Sequence, residues 1–356
     1  MHHKTHYRLS YVAVPFMVVV FFLCGCNGKY SYTPLYPTPP NGYYQGVELG
    51  TVYNGNLIVA GQFNYLFNNS VGIAQWNGST WQGLGSGVSG NYGPGYISCM
   101  ATYNSNLIIG GSFTTAGGQA VNEIAQWNGS AWQSLSSGVY FASVSYYGLS
   151  VKCLTIYNGN LIAGGCFEYA GGALSNNIAS WNGTSWQGLA GGTKYNFTSY
   201  YNNPIINAVT VYNGNLIAGG GFDTIGGQRA LNIAQWNGTS WSAFGGKCNG
   251  QIKQLLVFNG NLIVQGSFDS IGGIATGGLA QWNGTTWTTI NELNSSNFNL
   301  LSQYPNTVVY NNTLYFSTGN DSTVCQWSGS GSPVVTGIAS TTKERWSQMA
   351  YSYTYP

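Results

Sequence analysis

The chain contains six consecutive copies of one block of sequence, and this repeat limits its fold more than any other feature. One landmark of the block is YNGNLI, which starts at Tyr53, Tyr157 and Tyr212, with variants that start at Tyr103, Phe258 and Tyr310. The other landmark is a pair of tryptophans around a polar turn, as in NIAQWNGTSW at residues 232–241. Successive blocks lie 46 to 55 residues apart. Repeats of this length predict supersecondary units that bury their apolar faces against each other.

Each block is predicted to contain four short β-strands and no helix. In the fourth block, INAVTVYNG alternates apolar and polar residues, and Asn213-Gly214 suits a two-residue type I′ hairpin turn. The second strand is NLIAGGGF, a loop DTIGGQRAL follows, and NIAQW and TSWSAFG are strands three and four around Asn237-Gly238. This pattern predicts an all-β fold, a β-propeller of six four-stranded blades, with seven blades as the alternative.

The order of the strands decides which parts of each block share a face. The links between blades and the loops between strands two and three share one face, here called the top. The two Asn-Gly turns share the bottom.

Ten of the twelve tryptophans, from Trp76 to Trp287, occupy two positions in the block and are predicted to fill the space between blades. Five Asn-Gly-Ser/Thr sequences are interpreted as turns rather than glycosylation sites: Asn77, Asn128, Asn182, Asn237 and Asn283.

The blocks resemble kelch repeats. A Gly-Gly pair ends strand two at Gly110-Gly111, Gly164-Gly165 and Gly219-Gly220, and each pair is followed by the two tryptophans of its block. The resemblance covers residues 45 to about 340 and departs from the family in placing Trp-Asn-Gly where Tyr-Asp is usual. It implies a propeller similar to the central domain of galactose oxidase. That enzyme's copper site uses His and Tyr, so its activity is not expected here.

The N-terminus is typical of an exported lipoprotein. Lys4 and Arg8 precede 13 mostly apolar residues, from Tyr11 to Leu23, as in a signal peptide. The following Cys24-Gly25-Cys26 resembles a bacterial lipobox, which implies cleavage before Cys26 and its lipidation. An ordinary signal peptide and an uncleaved anchor are the alternatives. By the same resemblance, Asn27 favours the outer membrane or cell surface over retention in the inner membrane of the cell envelope.

Four segments are therefore predicted. Residues 1–25 are the signal peptide, 26–44 a tether rich in Pro, Tyr and Gly, and 45–345 the propeller. Residues 346–356 are either a strand that closes the ring or the start of a seventh blade.

Composition excludes several functions. Charged residues make up 5% of the chain, with no basic cluster, so nucleic acid is not an expected partner. All histidines (His2, His3 and His6) lie in the signal segment, which leaves no base for a Ser-His-Asp or Cys-His device. Scattered carboxylates leave a carbohydrate-active enzyme as an alternative. No cofactor is expected. The five cysteines beyond Cys26 are interpreted as buried core residues, with one disulfide as the alternative.

The links between blades are rich in tyrosine mixed with Ser, Gly and Asn, which is the composition of adaptable binding loops. The candidate ligand-binding residues are Tyr92, Tyr96, Tyr140, Tyr146, Tyr147, Tyr195, Tyr200 and Tyr201. Few charges accompany them, so the predicted ligand is a carbohydrate or a protein surface. Two alternatives remain open: the rings pack over the blades, or the chain is a structural subunit of the envelope.

Glu168, Asp223 and Asp269 share one position, directly after the Phe that ends strand two. Their oxygens are of the type that calcium prefers, which makes them weak calcium candidates. The favoured interpretation is a turn-capping role, because such side chains bond to nearby backbone N–H groups.

Overall fold

The computed structural model describes residues 47–63, 70–90, 93–141, 150–194, 204–290, 307–317, 323–331 and 333–337. These residues form strands and turns, and no helix occurs among them that is long and apolar enough to cross a membrane. Six four-stranded antiparallel sheets follow one another along the described chain, and they are named blades 1 to 6. Within each blade the strands lie side by side in chain order. The predicted all-β fold with four strands per block is confirmed.

The blades have the following strands. Blade 1 comprises Val47–Tyr53, Asn56–Gly61, Ile73–Trp76 and Trp81–Gly83. Blade 2 comprises Tyr96–Tyr103, Asn106–Ser112, Ile124–Trp127 and Trp132–Ser134. Blade 3 comprises Ser150–Tyr157, Asn160–Cys166, Ile178–Trp181 and Trp186–Gly188. Blade 4 comprises Ile205–Tyr212, Asn215–Gly221, Ile233–Trp236 and Trp241–Ala243. Blade 5 comprises Gln251–Phe258, Asn261–Ser267, Leu279–Trp282 and Trp287–Thr289. Blade 6 comprises Thr307–Tyr310, Thr313–Ser317, Thr323–Trp327 and Val334–Gly337.

The two Asn-Gly turns of a block have different geometries. In the first hairpin, Asn54 has φ 48° and Gly55 φ 77°, as a type I′ turn requires. In the second, the Asn77 Oδ1 atom accepts hydrogen bonds from the backbone N–H groups of Ser79 (2.9 Å) and Thr80 (2.8 Å). The other four asparagines of this kind do the same. Their interpretation as turn residues is confirmed.

Consecutive blades pack against each other to form a propeller. The first strands of blades 1 to 5 contact one another in order, which makes them the inner strands. Five hydrophobic clusters each join two consecutive blades. Among the described residues no such cluster joins blade 6 to blade 1, so the number of blades in the ring stays a prediction. The predicted segments 1–25, 26–44 and 346–356 lie outside the described residues.

In blades 2 to 5 the second tryptophan of the block links its blade to the preceding one. Its indole Nε1–H donates to a backbone carbonyl just after strand four of that blade. The four bonds are Trp132 to Leu84 (2.8 Å), Trp186 to Leu135 (2.9 Å), Trp241 to Leu189 (3.1 Å) and Trp287 to Gly245 (2.6 Å). All four rings are buried. The tryptophan at this position is therefore both the predicted filler and a hydrogen-bond donor between blades.

Candidate functional site

The top face carries a layer of small sheets attached to the blades. In blades 2 to 5 the segment between strands two and three is a hairpin, so the prediction of a plain loop was wrong there. In blade 3 the hairpin turns at Gly171 (φ 58°) and Gly172 (φ 87°), the positive pair that a type I′ turn needs. The ring of Trp186 packs directly beneath, since a Cβ on Gly171 would lie 2.9 Å from it.

Each hairpin pairs with the link that arrives from the preceding blade, and we name the result the accessory sheet of the blade that supplies the hairpin. In blade 2 it comprises Val88–Gly90, Gly93–Pro94, Thr115–Ala116 and Gln119–Ala120. In blade 3 it comprises Val139–Tyr140, Tyr169–Ala170 and Ala173–Leu174. In blade 4 it comprises Thr193–Lys194, Thr224–Ile225 and Gln228–Arg229. In blade 5 it comprises Ser270–Ile271 and Ile274–Ala275, bridged to Cys248 of the link. The links and these segments share one face, as predicted.

One row of side chains crosses each accessory sheet at equivalent positions, and its chemistry changes from blade to blade. Residues that are directly opposite on paired strands project to the same side of the sheet. The rows are Ser89, Thr115 and Ala120 in blade 2; Tyr140, Tyr169 and Leu174 in blade 3; Lys194, Thr224 and Arg229 in blade 4; and Ser270 and Ala275 in blade 5. A constant backbone thus presents a neutral polar row, an aromatic row and a basic row.

The aromatic row is Tyr140, Tyr169 and Leu174. The two tyrosine rings stack with centroids 5.5 Å apart and planes 16° apart. Both are half-buried, and Leu174 is 55% exposed. Their neighbours Val139 and Ala170 face the other way and are fully buried. The sheet is therefore anchored through one side and offers apolar surface to solvent on the other.

The basic row is Lys194, Thr224 and Arg229. Lys194 and Arg229 are exposed, and Thr224 between them is half-buried. On the opposite side of the sheet, Thr193 is 1% exposed and Ile225 is fully buried. The accessory sheets of blades 3 and 4 thus have the same alternation of buried and exposed residues, with charged side chains in blade 4 where blade 3 has aromatic ones.

A pair of hydrogen bonds joins the sheets that carry these two rows. The Thr193 N–H donates to the Asn176 carbonyl (2.9 Å), and the Asn177 Nδ2 atom donates to Thr193 Oγ1 (2.8 Å). Asn176 lies two residues after Leu174, and Thr193 directly precedes Lys194. The accessory sheets that carry the aromatic and basic rows are therefore direct neighbours on the top face.

Two of the eight predicted tyrosines lie within the described residues. Tyr140 belongs to the aromatic row. Tyr96 starts the inner strand of blade 2 and is half-buried, with its side chain hydrogen-bonded to Glu48. Tyr92, Tyr146, Tyr147, Tyr195, Tyr200 and Tyr201 lie outside the described residues, as does Cys26. Reasoning from the sequence missed Tyr169, Leu174, Lys194, Thr224 and Arg229.

The three weak calcium candidates are distributed one to a blade. Glu168, Asp223 and Asp269 each precede the hairpin of a different accessory sheet. Their carbonyls accept hydrogen bonds from the far side of the hairpin, as Asp223 does from Ala230 (3.0 Å). In the part of the chain that the structure describes, no group of three or more His, Cys, Asp or Glu side chains is placed to hold a metal ion.

Glu123 is a buried acid that precedes strand three of blade 2. It is 7% exposed, and burial raises its pKa to about 8, although the Phe113 N–H and the nearby Lys152 charge both act to lower it. The Phe113 N–H donates to Glu123 Oε2 at 3.0 Å. Blades 3 and 4 have asparagine here, and Asn177 accepts the equivalent bond from Phe167 (2.9 Å). Burial also raises the pKa of Glu48, against hydrogen bonds from Tyr96 and Gln62.

The five cysteines of the propeller are all free and buried: Cys99, Cys153, Cys166, Cys248 and Cys325. Four of them belong to hydrophobic clusters between blades. Burial raises the pKa of all five thiols. Their interpretation as core residues is confirmed, and no disulfide joins them.

We expect these five thiols to be inert in the folded protein, because a buried thiol with a raised pKa supplies almost no thiolate. Labelling with iodoacetamide, followed by peptide mass spectrometry, should find all five unmodified in native buffer and all five modified in guanidinium without a reductant. A pair that labels in guanidinium only after reduction would reveal the disulfide alternative.

No protein-family model matches the chain, and no curated protein matches its sequence. Solved structures similar to it are β-propeller proteins. Virginiamycin B lyase from Staphylococcus aureus is 12% identical over 83% of this chain and 85% of that chain, with a TM-score of 0.45. YjhT is 14% identical over 84% of this chain and 99% of that chain, with a TM-score of 0.44.

A third similar structure is the extracellular domain of the hybrid two-component system BT4673 from B. thetaiotaomicron. It is 13% identical over 77% of this chain, with a TM-score of 0.46, and the match spans 31% of that chain. The propeller assignment is based on this chain's own sheets and on the packing of its consecutive blades.

Proposed function

We propose that the chain is a non-catalytic binding module whose ligand is a carbohydrate held on the top face. The observation that carries the proposal is the aromatic row, where Tyr140, Tyr169 and Leu174 form a partly exposed apolar strip on an anchored sheet. Aromatic side chains offer rigid contact area at low entropic cost, and the tyrosine hydroxyls add hydrogen bonds. Equivalent rows in blades 2 and 5 are polar and small, so the fold itself does not require this strip.

The proposal includes a cellular setting. A lipid on Cys26 would anchor the module in the cell envelope, at the outer membrane or cell surface, and residues 26–44 would be its tether. This part is supported by the apolar N-terminal stretch and the Leu-Cys-Gly-Cys sequence at residues 23–26. The kelch type of the blades belongs to the same proposal and is supported by the Gly-Gly pairs and paired tryptophans.

A structural role in the envelope is the second candidate, supported by the exposed Asn-Gly turns repeated on the bottom face.

Blade 2 provides the residues for a matched replacement of the aromatic row in blade 3. The variant Y140S/Y169T/L174A gives blade 3 the row that blade 2 already carries on the same backbone. On a glycan array we expect the unaltered protein to bind at least one glycan class and the variant to lose about tenfold or more in affinity, because central aromatic anchors dominate such interfaces.

A matched control removes a different apolar side chain from the same face. Ile274 is 37% exposed in the blade 5 hairpin, at the position where blades 2 and 4 have glutamine. The I274Q variant should bind as the unaltered protein does. Failure to bind any glycan, or equal binding by the aromatic-row variant, would contradict the proposal. Glycan hydrolysis that disappears when one acid is replaced would instead show an enzyme.

A further inference from the structure

We infer that the carbohydrate is anionic, and that Lys194 and Arg229 bind its acidic groups while the aromatic row holds the sugar rings. The inference depends on the proposed function and names the class of ligand for the same site. Arginine pairs with carboxylate and sulfate groups through two parallel hydrogen bonds, and lysine adds a mobile point charge.

The first support is the concentration of positive charge. The chain has only 10 Lys and Arg residues in 356, and two of them share this row. Thr224 lies between them, so they stand two strands apart, which corresponds to about 10 Å at the usual strand spacing. Both are exposed, and neither makes an ion pair within the described residues.

The second support is that the blade does not need these charges to fold. Blade 2 carries Ser89, Thr115 and Ala120 at the equivalent positions, in an accessory sheet of the same register. Two like charges on one face of a small sheet repel each other, which costs stability unless a counter-charge arrives. One acid, Asp223, directly precedes Thr224, and its backbone N–H is bonded to the Lys194 carbonyl.

The third support is the neighbouring aromatic row. The hydrogen bond from Thr193 to Asn176 joins the two accessory sheets, so a ligand long enough to cross from one sheet to the next would meet apolar and then basic side chains. A neutral glycan would use only the aromatic row. A simple polyanion, such as a nucleic acid or an acidic peptide, would use only the basic row. An acidic sugar polymer matches both.

The test compares charged and neutral forms of one polymer on the unaltered protein. Oligogalacturonate and its methyl ester share a backbone and differ in the carboxylate, and dextran sulfate and dextran differ in the sulfate. We expect at least one charged form to bind about tenfold more tightly than its neutral form, with affinity that falls as salt is raised. Preference for oligogalacturonate would indicate a carboxylate ligand, and preference for dextran sulfate would indicate a sulfate ligand.

Substitution of the basic row then tests whether its two side chains bind the acidic groups of the polymer. The variant K194S/R229A rebuilds the Ser-Thr-Ala row of blade 2, because Thr224 is already present. It should lose about tenfold in affinity for the charged polymer and leave the weak binding of the neutral form unchanged. K247S, which removes an exposed lysine that is not part of the row, should change affinity less than about twofold.

The outcomes separate this inference from the proposed function. If a neutral glycan binds as well as its charged form and only the aromatic-row variant loses it, the module binds carbohydrate but the inference is wrong. If DNA or oligoglutamate of equal charge binds as tightly, the surface is a general polyanion site and the inference is also wrong. If none of the four polymers binds, the inference is wrong, and the glycan array decides separately whether the proposed function stands.

Discussion

Replacing Glu123 with glutamine should remove a large loss of stability that the unaltered protein undergoes as pH rises. Burial raises the pKa of this carboxyl from 4.5 to about 8 in the fold. Its stabilising contribution is therefore complete below pH 4.5 and is lost as the pH approaches 8, because the unfolded chain releases the proton first. At 1.36 kcal/mol per pKa unit, the loss is on the order of 5 kcal/mol.

Chemical denaturation of both proteins from pH 4 to pH 9 checks this expectation. The two unfolding free energies should be similar at pH 4, and E123Q should be more stable by several kcal/mol at pH 9. E123N should gain more, since Glu123 has a φ of 61° that asparagine adopts more easily, as at Asn177 (φ 78°) and Asn232 (φ 67°). D269N, which neutralises an exposed acid, is the control. Parallel pH profiles for E123Q and the unaltered protein would disprove the buried-acid account.

Replacing Trp241 with alanine should cost about 3 to 5 kcal/mol of unfolding free energy. The ring is 3% exposed and belongs to the cluster between blades 3 and 4. Removing it leaves a cavity beneath the blade 4 hairpin, where a Cβ on Gly226 would lie 2.7 Å from the ring. W241F should cost less, about 1 to 3 kcal/mol, because it keeps most of the ring but leaves the Leu189 carbonyl without its donor.

The control lies on strand three of the same blade. Trp236 pairs directly with Trp241 on the neighbouring strand, yet it is half-buried and belongs to the other tryptophan position of the block. W236F should cost under about 1 kcal/mol, since little area changes and no bond between blades is lost. Denaturant titrations measure both losses of unfolding free energy. Equal losses for W236F and W241F would contradict the view that Trp241, and not Trp236, holds the two blades together through its side chain.

Much of the blade architecture follows from residues that are adjacent in sequence. Asn54-Gly55 specifies its turn locally, and the residues before and after it alternate as strands, so the first hairpin was predictable. The tryptophan pairs recur at a fixed distance and lie directly opposite each other, as Trp236 and Trp241 do. Both signals depend on contacts within a few residues, which is the range that pattern reading covers.

The accessory sheets escaped prediction because their strands are two or three residues long and their hairpins pair with a link some 30 residues earlier. No alternation of apolar and polar residues can be recognised in strands this short. The recurrent Gly-Gly that follows Ala or Ile, as at Gly171-Gly172, was the available signal for a hairpin turn. Tyr140 was found because its link is rich in tyrosine. Tyr169 and Arg229 were missed because only the cross-strand register makes them neighbours of the links.

Alignment of the blocks carries information that composition does not. At the position before strand three, Gly72, Asn177, Asn232 and Gly278 all have positive φ, and Glu123 is the residue that differs in type. The rows of the accessory sheets likewise keep their backbone positions while their side chains change from one blade to the next. In a repeat protein the scaffold accounts for what the copies share, so candidate sites are found where they diverge.

The most direct test of this account is a crystal structure of the protein in complex with the anionic oligosaccharide that it binds most tightly. We expect sugar rings against Tyr140, Tyr169 and Leu174, with an acidic group within hydrogen-bond distance of Arg229 or Lys194. A ligand seated on the Asn-Gly turns of the bottom face, or inside the ring between the inner strands, would contradict it.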